Sequence, residues 1–529
     1  MIRILIFLLI SIAAAQNKLI MPYDFSKHQG YVINNGNIVW NKDWKSGNFF
    51  FDGTFANFPS TFGPYIESNY YQNIDTTFSD SNYTSSYFDY VQGDYYLDNL
   101  DIGIKYLNEN KLTILHAFKK RYAGAYNQYA MISGPPSPIH YTYLGKYSIK
   151  GDKDLLDLSI GNFNSDFGLL DSLGTSFVDS RITSSNISYK RGYDSLYFTI
   201  SAHNFLQRHD SQHSQFDING VRYLTRTKVE GSIVFMKKHN YDLFISADIN
   251  KRSLRSDLFK SIGWNSVKVG FNHKNYSFNL GRSNIDNNKN LIVDGKIFYS
   301  KDQFMIGSRF SHYYKPLHIS LLDSKSNEQR NEFIFNGARS INRIKFGTEI
   351  FFNTVIRDID LQSNNQLYPE KASNIWIYGY IEYKALDNLS LELGYNKINS
   401  NDYITDGIDQ RLNFKLNNHF KLFSNAMTVL TSFSVSGLLG RDNDYVLHPI
   451  DQYPIKIDSD YSMDDTWLMN LSFLFRIKSL DIKYEMSNLT NIIYDYLGNN
   501  DQDNSIQFNP YFPRMRRLAS LSIKWDFLD

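Results

Sequence analysis

The sequence places apolar residues at every second position in many short segments. Near the end of the chain, Leu521, Ile523, Trp525 and Phe527 alternate with polar residues. The same period occurs around residues 100–106, 156–160, 196–202, 243–249, 267–271, 276–280, 389–395, 467–477 and 480–486. Strict alternation is typical of strands that have one face in an apolar environment. No stretch of comparable length has the period of an α-helix, so we predict an all-β protein.

The connections between the predicted strands fall into two classes. Ten are tight turns rich in Asn, Asp and Gly: 108–110, 151–153, 193–194, 238–240, 273–274, 301–302, 340–342, 386–387, 417–419 and 478–479. The others are long and polar: 60–96, 125–139, 165–183, 205–221, 355–373, 438–463 and 488–515. Short periplasmic turns at one end and long extracellular loops at the other are the asymmetry of outer-membrane barrels.

The number of turns predicts the number of strands. Ten hairpins supply 20 strands, residues 517–527 form the last strand, and residues 47–58 (GNFFFDGTFANF) are predicted as the first. We therefore predict a transmembrane antiparallel β-barrel of about 22 strands, with about 18 or 20 as neighbouring solutions. A soluble β-propeller or an array of sandwiches is the alternative. Those folds show repeats of fixed period or linkers rich in Pro, Gly and Ser, and neither is present.

The N-terminal residues have the pattern of a secretory signal peptide. Arg3 precedes an apolar stretch, and Ala13 to Ala15 give an A-x-A cleavage site. We divide the chain into a signal peptide (1–15), a short periplasmic segment (16–45) and a transmembrane barrel (46–529). Export and a barrel together predict the cell outer membrane as the location. The chain has no cysteine, and a closed barrel pairs its backbone groups without disulfides.

Composition adds two constraints. Tyr and Phe contribute 39 residues each, which suits a barrel that lines two membrane–water interfaces with aromatic side chains. The formal net charge is +1, and no basic tract of the kind that binds nucleic acid occurs, so no nucleic-acid partner is expected.

The last strand resembles the C-terminal assembly signal of outer-membrane barrels. In that signal, a polar residue and a glycine precede two aromatic residues. Here Ser520 is the polar residue, Ser522 replaces the glycine, and Trp525 and Phe527 are the aromatics. Two further residues follow the final aromatic. The resemblance implies recognition by the barrel-assembly machinery.

A longer stretch resembles the end of TonB-dependent receptor barrels. Asn488, Leu489 and Tyr494 match the first part of that pattern, and Pro513 and Arg516 match the part before the last strand. Receptors of this family carry a plug domain before the barrel, and the predicted periplasmic segment is too short to hold one. The resemblance thus implies a wide barrel whose lumen is open, or is filled by inward-folding loops or a separate plug chain.

Few residue groups point to metals or to covalent chemistry. His209 and His213 form the one histidine cluster, with no third ligand nearby in the sequence. Acidic loops offer weak calcium candidates at Asp442, Asp444, Asp501 and Asp503, without EF-hand spacing. No G-x-S-x-G motif occurs, and we expect neither enzymatic activity nor a cofactor.

The expected function is transport of a solute across the outer membrane through the lumen, by a TonB-dependent-receptor-like barrel or a plugless porin-like channel. The alternative is a surface binding or adhesion protein with the barrel as its anchor, because residues 68–90 would stack well on sugars. Expected partners are outer-membrane lipid, lipopolysaccharide, the barrel-assembly machinery and a separate plug or surface lipoprotein. The basic residues of 119–121 and 514–517 suit lipopolysaccharide phosphates or the lumen wall.

Overall fold

A computed structural model describes the barrel and several short elements beside it. The described residues are 31–34, 37–40, 82–121, 139–169, 176–193, 195–211, 220–237, 241–257, 259–285, 287–301, 303–316, 327–357, 371–401, 409–442, 445–448, 453–456, 462–496 and 516–528. Twenty-two strands form one closed antiparallel barrel. Each strand pairs with its neighbours in the sequence, and the last strand pairs with the first. The predicted fold and strand number are confirmed.

The barrel strands are numbered here in chain order. They are β1 (Tyr83–Gly93), β2 (Leu97–Leu107), β3 (Lys111–Arg121), β4 (Ile139–Lys150), β5 (Asp154–Leu169), β6 (Ser176–Tyr193), β7 (Leu196–Ser211), β8 (Gly220–Lys237), β9 (Tyr241–Arg255), β10 (Phe259–His273), β11 (Tyr276–Ile285), β12 (Asn288–Lys301), β13 (Phe304–Pro316), β14 (Asn327–Ile341), β15 (Ile344–Arg357), β16 (Lys371–Leu386), β17 (Leu389–Asn401), β18 (Gln410–Leu422), β19 (Met427–Leu439), β20 (Thr466–Ile477), β21 (Leu480–Ser487) and β22 (Leu518–Leu528).

Short elements accompany the barrel. Among the described residues, three strand pairs lie outside the wall: Tyr31–Asn34 with Asn37–Trp40, Arg441–Asp442 with Ser462–Met463, and Tyr445–His448 with Tyr453–Lys456. One short helix, α1 (Thr490–Tyr496), follows β21. In the part of the chain that the structure describes, no helix is long and apolar enough to cross a membrane.

Side chains on the strands alternate between an outward face and a lumen face. In β22, Leu521, Ile523, Trp525 and Phe527 are between 39 % and 48 % exposed, which is expected of apolar side chains that project into lipid. The intervening polar residues face the lumen. The alternation in the sequence therefore arises because one face of each strand contacts lipid and the other faces the lumen.

Aromatic residues gather at the end of the barrel that carries the tight turns. The Tyr241 and His273 rings stack with centroids 4.9 Å apart, and the His273 and Tyr276 centroids are 4.5 Å apart. The Tyr276 hydroxyl donates to the Tyr241 hydroxyl at 3.2 Å. Rings with one apolar and one polar edge are stable at a membrane–water interface. The tight-turn end is accordingly the periplasmic end, and both barrel termini lie there.

Two glycines in the wall make room for aromatic rings on the neighbouring strand. A Cβ at Gly103 would lie 2.4 Å from Cε1 of Tyr87, and a Cβ at Gly347 would lie 2.6 Å from Cε1 of Tyr380. Each glycine is the direct cross-strand partner of its tyrosine. The ring covers the glycine backbone, and this pairing helps to fix the register of the two strands.

The first strand of the barrel is not where the sequence predicted it. The strand that closes against β22 is β1, which falls within the predicted loop 60–96. Residues 47–58 and the predicted signal peptide (1–15) lie outside the described residues. The sequence did not predict β1 because aromatic side chains occur on both faces of this strand: Phe88 faces lipid and Tyr87 faces the lumen. The two-residue period of hydrophobicity is therefore weak in this strand.

Three other predicted connections differ from the structure. The turn expected at 417–419 lies within β18, and the chain turns at 423–426 instead, where Phe423, Ser424 and Asn425 have positive φ. Asn417 is a lumen residue that donates to Glu392 at 3.2 Å. The loops predicted at 165–183 and 205–221 are mostly strand, because β5 to β8 continue beyond the apolar band with polar side chains.

Candidate functional site

The lumen is wide and its wall is polar. Twenty-two strands spaced ~4.8 Å apart and tilted by ~40° enclose a ring roughly 40 Å across. Opposite charges meet on the lumen face at Lys146–Asp157 (3.9 Å), Arg309–Asp294 (2.8 Å), Lys345–Glu382 (3.8 Å) and Arg476–Asp481 (2.7 Å). Each pair joins adjacent strands. The wall is thus hydrophilic, and its charges are largely compensated by local partners.

A compact polar cluster lies on β1, β2 and β3. The Tyr87 hydroxyl donates to Oδ1 of Asp101 at 2.8 Å and lies 2.8 Å from Nε2 of His116. The same imidazole nitrogen is 2.5 Å from Oδ1 of Asp101. Asp101 is almost fully buried. A buried carboxylate is costly without such contacts, so the cluster ties three strands together at one point.

A second cluster surrounds Glu230 on β8. The Ser201 hydroxyl donates to Oε1 of Glu230 at 2.9 Å, and Nε2 of His203 is 3.5 Å from the same oxygen. Lys228 pairs with the other carboxylate oxygen. In a serine hydrolase the imidazole contacts the serine hydroxyl and removes its proton. Here the carboxylate lies between serine and histidine, so the arrangement stabilises charge and does not activate a nucleophile.

The lumen wall changes in exposure along the barrel axis. Near the tight turns, the side chains of Lys384 and Lys483 are 56 % and 41 % exposed. In the outer half, Gln207 and Asn353 are 0 % exposed and Arg252 is 1 % exposed. A bare wall around a lumen this wide would leave all of these side chains in water. On most of the described strands, the lumen-facing side chains are therefore less accessible in the outer half than near the periplasmic end; Lys146 and Ser148 of β4 are exceptions.

The covered half of the lumen is rich in buried polar side chains. They include Gln207, His209, Arg222, Asn250, Arg252, Arg330, Asn353 and Arg411. Each of these has an interaction partner in the protein; the guanidinium of Arg252, for example, lies 5.9 Å from the Trp264 ring centroid. Ionised groups are buried only with such compensation. Apolar lumen-facing side chains, such as Leu224, Phe351 and Val355, are buried at the same level.

The Asn488–Leu489 pair marks the point where the chain leaves the barrel wall. Asn488 is fully buried with φ +58, and its backbone N–H donates to Oδ1 of Asn470 at 3.1 Å. The Leu489 N–H donates to the Met469 carbonyl at 2.8 Å. The left-handed residue ends β21 and directs the chain into α1. This part of the receptor-like pattern thus has a structural role.

The structure describes most, but not all, of the remaining residues of the two C-terminal patterns. Tyr494 lies in α1, Arg516 lies just before β22, and Pro513 lies outside the described residues. Ser520 and Ser522 face the lumen, on the face of β22 opposite to its two aromatics. Recognition by the assembly machinery stays a prediction.

The structure places few of the metal and charge candidates. Asp442 lies in a two-residue strand, and His209 faces the lumen on β7. Asp444, Asp501, Asp503 and His213 lie outside the described residues. Among the residues that are described, no group of three or more His, Cys, Asp or Glu side chains is arranged to hold a metal. Lys119 faces outward, with Nζ 4.0 Å from Asp98.

No family model matches the sequence, and no curated protein matches it significantly. Solved structures do match. The ferric enterobactin receptor PfeA of Pseudomonas aeruginosa superposes with a TM-score of 0.64 and 9 % identity, over 86 % of this chain and 81 % of that chain. The FrpB iron transporter of Neisseria meningitidis superposes with a TM-score of 0.64 and 9 % identity, over 85 % of this chain and 82 % of that chain. The siderophore receptor PirA of P. aeruginosa superposes with a TM-score of 0.58 and 10 % identity, over 86 % of this chain and 82 % of that chain. The chain has the barrel fold of these receptors.

Proposed function

We propose that this protein takes up a solute across the outer membrane through its lumen, as a receptor-like barrel that is closed at rest. The observation that carries the proposal is the exposure gradient of the wall. Most lumen-facing side chains of the outer half are buried, and most of those near the tight turns are more exposed, although Lys146 and Ser148 are buried near the periplasmic end of β4. A path of this kind has to open before a solute passes.

The choice of the first solute to test follows from the structural relatives. Proteins that share the barrel fold are named ferric enterobactin, siderophore and iron receptors or transporters. Fold similarity at 9–10 % identity shows the fold and not the substrate. Ferric chelates are the first solutes to test for this chain, because the names of these relatives refer to iron and siderophores, and no metal-binding group among the described residues points to another choice.

Uptake is tested in cells that express the full chain and lack their own ferric-chelate receptors. Radiolabelled ferric chelates are added with and without a protonophore. We expect accumulation above the vector control that is lost with the protonophore, because a closed lumen requires energy to open. Accumulation that persists would indicate a passive channel. Binding to the cells without accumulation would favour the surface-binding alternative and would refute transport of these solutes.

Single-channel recording in a planar bilayer tests the closed lumen separately. The refolded mature chain is expected to show no large steady conductance, since the outer half of the wall is covered. Folding is confirmed in the same sample by heat-modifiable migration on a gel. A large and constant conductance from folded protein would show an open pore and would contradict the closed resting state.

A further inference from the structure

A short hairpin that is not part of the wall precedes the barrel in the sequence. Tyr31–Asn34 pairs with Asn37–Trp40, and Asn34 stands opposite Asn37, so a two-residue connection joins the strands. The connection reads Asn35–Gly36, which is a preferred sequence for the turn of a two-residue hairpin. Two strands alone are marginally stable at best in water. This N-terminal hairpin therefore needs another surface to pack against.

The N-terminal hairpin packs against the wall at β5 and β6. Its strand Asn37–Trp40 contacts both of these barrel strands. The outward face of the two strands is open, because Ile160 and Ile187 are 56 % and 49 % exposed. The lumen face of the same strands is covered, because Ser159 and Asn186 are 8 % and 4 % exposed. The hairpin therefore lies on the lumen side of the wall.

The covered part of the lumen face continues on the strands to either side. Ser159, Asn186 and His203 stand side by side in the register of β5, β6 and β7, and His203 is almost fully buried. On the other side, Lys146 of β4 stands opposite Ser159. Lys146 and Ser148 are both buried, and they depart from the general gradient of exposure along the wall. Four adjacent strands, β4 to β7, thus share a covered polar strip.

The polar strip is incompletely hydrogen-bonded. In the part of the chain that the structure describes, the Ser159 hydroxyl and Nδ1 of His203 are buried and have no hydrogen-bond partner. Each such group costs about 1–3 kcal/mol, and this cost is relieved when the hairpin leaves and water reaches the strip. The contacting strand has four residues, so its contact is far smaller than the ~1,000 Å² of a stable interface. The hairpin is therefore held weakly.

We propose that the N-terminal hairpin is a removable gate on a solute path along β4 to β7. The docked hairpin covers the polar strip, and its departure uncovers Lys146, Ser159, Asn186 and His203 as one continuous row. A polar solute that follows this row supplies the hydrogen bonds that Ser159 and His203 lack. The inference rests on the proposed transport function, because it names the side of the lumen that the solute uses.

Cysteine labelling tests the position of the hairpin, because the chain has no cysteine of its own. The full chain with Ser159→Cys is reconstituted in vesicles and treated with a water-soluble maleimide. We expect slow labelling that becomes about 10-fold faster when Gly36→Val is added, because valine is strained at a turn position that requires positive φ. Asn35→Asp is the matched control and should leave the labelling slow, since Asp-Gly forms the same turn. Lys384→Cys, on an exposed part of the lumen face, should label equally fast in every background.

Vesicle swelling in arabinose tests the gate without any ferric solute. Gly36→Val and a deletion of residues 31–40 should both swell about 10-fold faster than the full chain and Asn35→Asp. Gel migration of unheated samples confirms that each variant is folded. If neither variant speeds the labelling of Ser159→Cys, the position assigned to the hairpin is wrong. Faster labelling without faster swelling would overturn the gate. Failed uptake of ferric chelates, with faster labelling and swelling, would refute the choice of solute and support the gate.

Discussion

Replacement of Gly103 by alanine is expected to destabilise the barrel far more than one methyl group normally would. The new Cβ would lie 2.4 Å from Cε1 of Tyr87, so the ring has to move by about 1 Å to reach ordinary contact. Its hydroxyl makes two contacts of 2.8 Å, with Asp101 and His116, and neither survives such a shift. Loss of a hydrogen bond to a charged group costs about 1.5–3 kcal/mol, and overpacking costs about 1–3 kcal/mol. We expect a loss of about 3–5 kcal/mol.

Equilibrium urea unfolding in lipid vesicles, followed by tryptophan fluorescence, measures this loss. Gly379→Ala is the matched control, because an added Cβ there meets nothing within 4 Å and should change the unfolding free energy by less than about 0.5 kcal/mol. Tyr87→Ala in the Gly103→Ala background removes the clash and should make the alanine at 103 nearly neutral relative to Tyr87→Ala alone. If Gly103→Ala unfolds at the same urea concentration as Gly379→Ala, the role assigned to the ring contact is incorrect.

Three further predictions concern other parts of the wall. Phe351→Ala should lower the unfolding free energy by about 3–5 kcal/mol, since this lumen-facing side chain is 2 % exposed, and urea unfolding measures it. Asn488→Ala should be about 1 kcal/mol more destabilising than Asn488→Gly, because glycine adopts the φ of +58 without strain and both variants lose the same buried side chain; an equal or larger effect of glycine would argue against backbone strain. Trp525→Ala should reduce the fraction that refolds into vesicles, scored by gel migration, and Trp525→Phe should retain it, because the stack with Phe527 at 5.0 Å requires only an aromatic ring at the interface.

The sequence predicted the wall of the barrel because alternation is caused directly by lipid on one face and polar groups on the other. The prediction was wrong where the outward and the lumen-facing residues of a strand do not differ in polarity. In β1, rings lie on both faces, and in the outer parts of β5 to β8 the outward residues, such as Asn164 and Arg181, are polar because these parts lie beyond the apolar band. Hydrophobic period carries no signal in either case.

The lumen site was not predictable residue by residue from the sequence. Pairs such as Arg309 with Asp294, or Tyr87 with Asp101, depend on which residues face each other across two strands. A shift of one residue in register would move every side chain to the other face. Turn positions were predicted to within one or two residues for most hairpins. An error of one residue in the register already assigns the wrong partner across two strands, so individual lumen pairs could not be predicted. The burial of lumen-facing side chains in the outer half of the wall has no local sequence signal at all.

The seam between β1 and β22 sets a kinetic order for assembly. Every other strand pair of the barrel joins consecutive barrel strands, but Ala519 exchanges hydrogen bonds with Asp94 across 425 positions, each at 2.9 Å. Closure of a loop this long is about 3 kcal/mol less favourable in chain entropy than closure of a ten-residue hairpin. High-separation contacts form late, so the hairpins form first and the circle closes last.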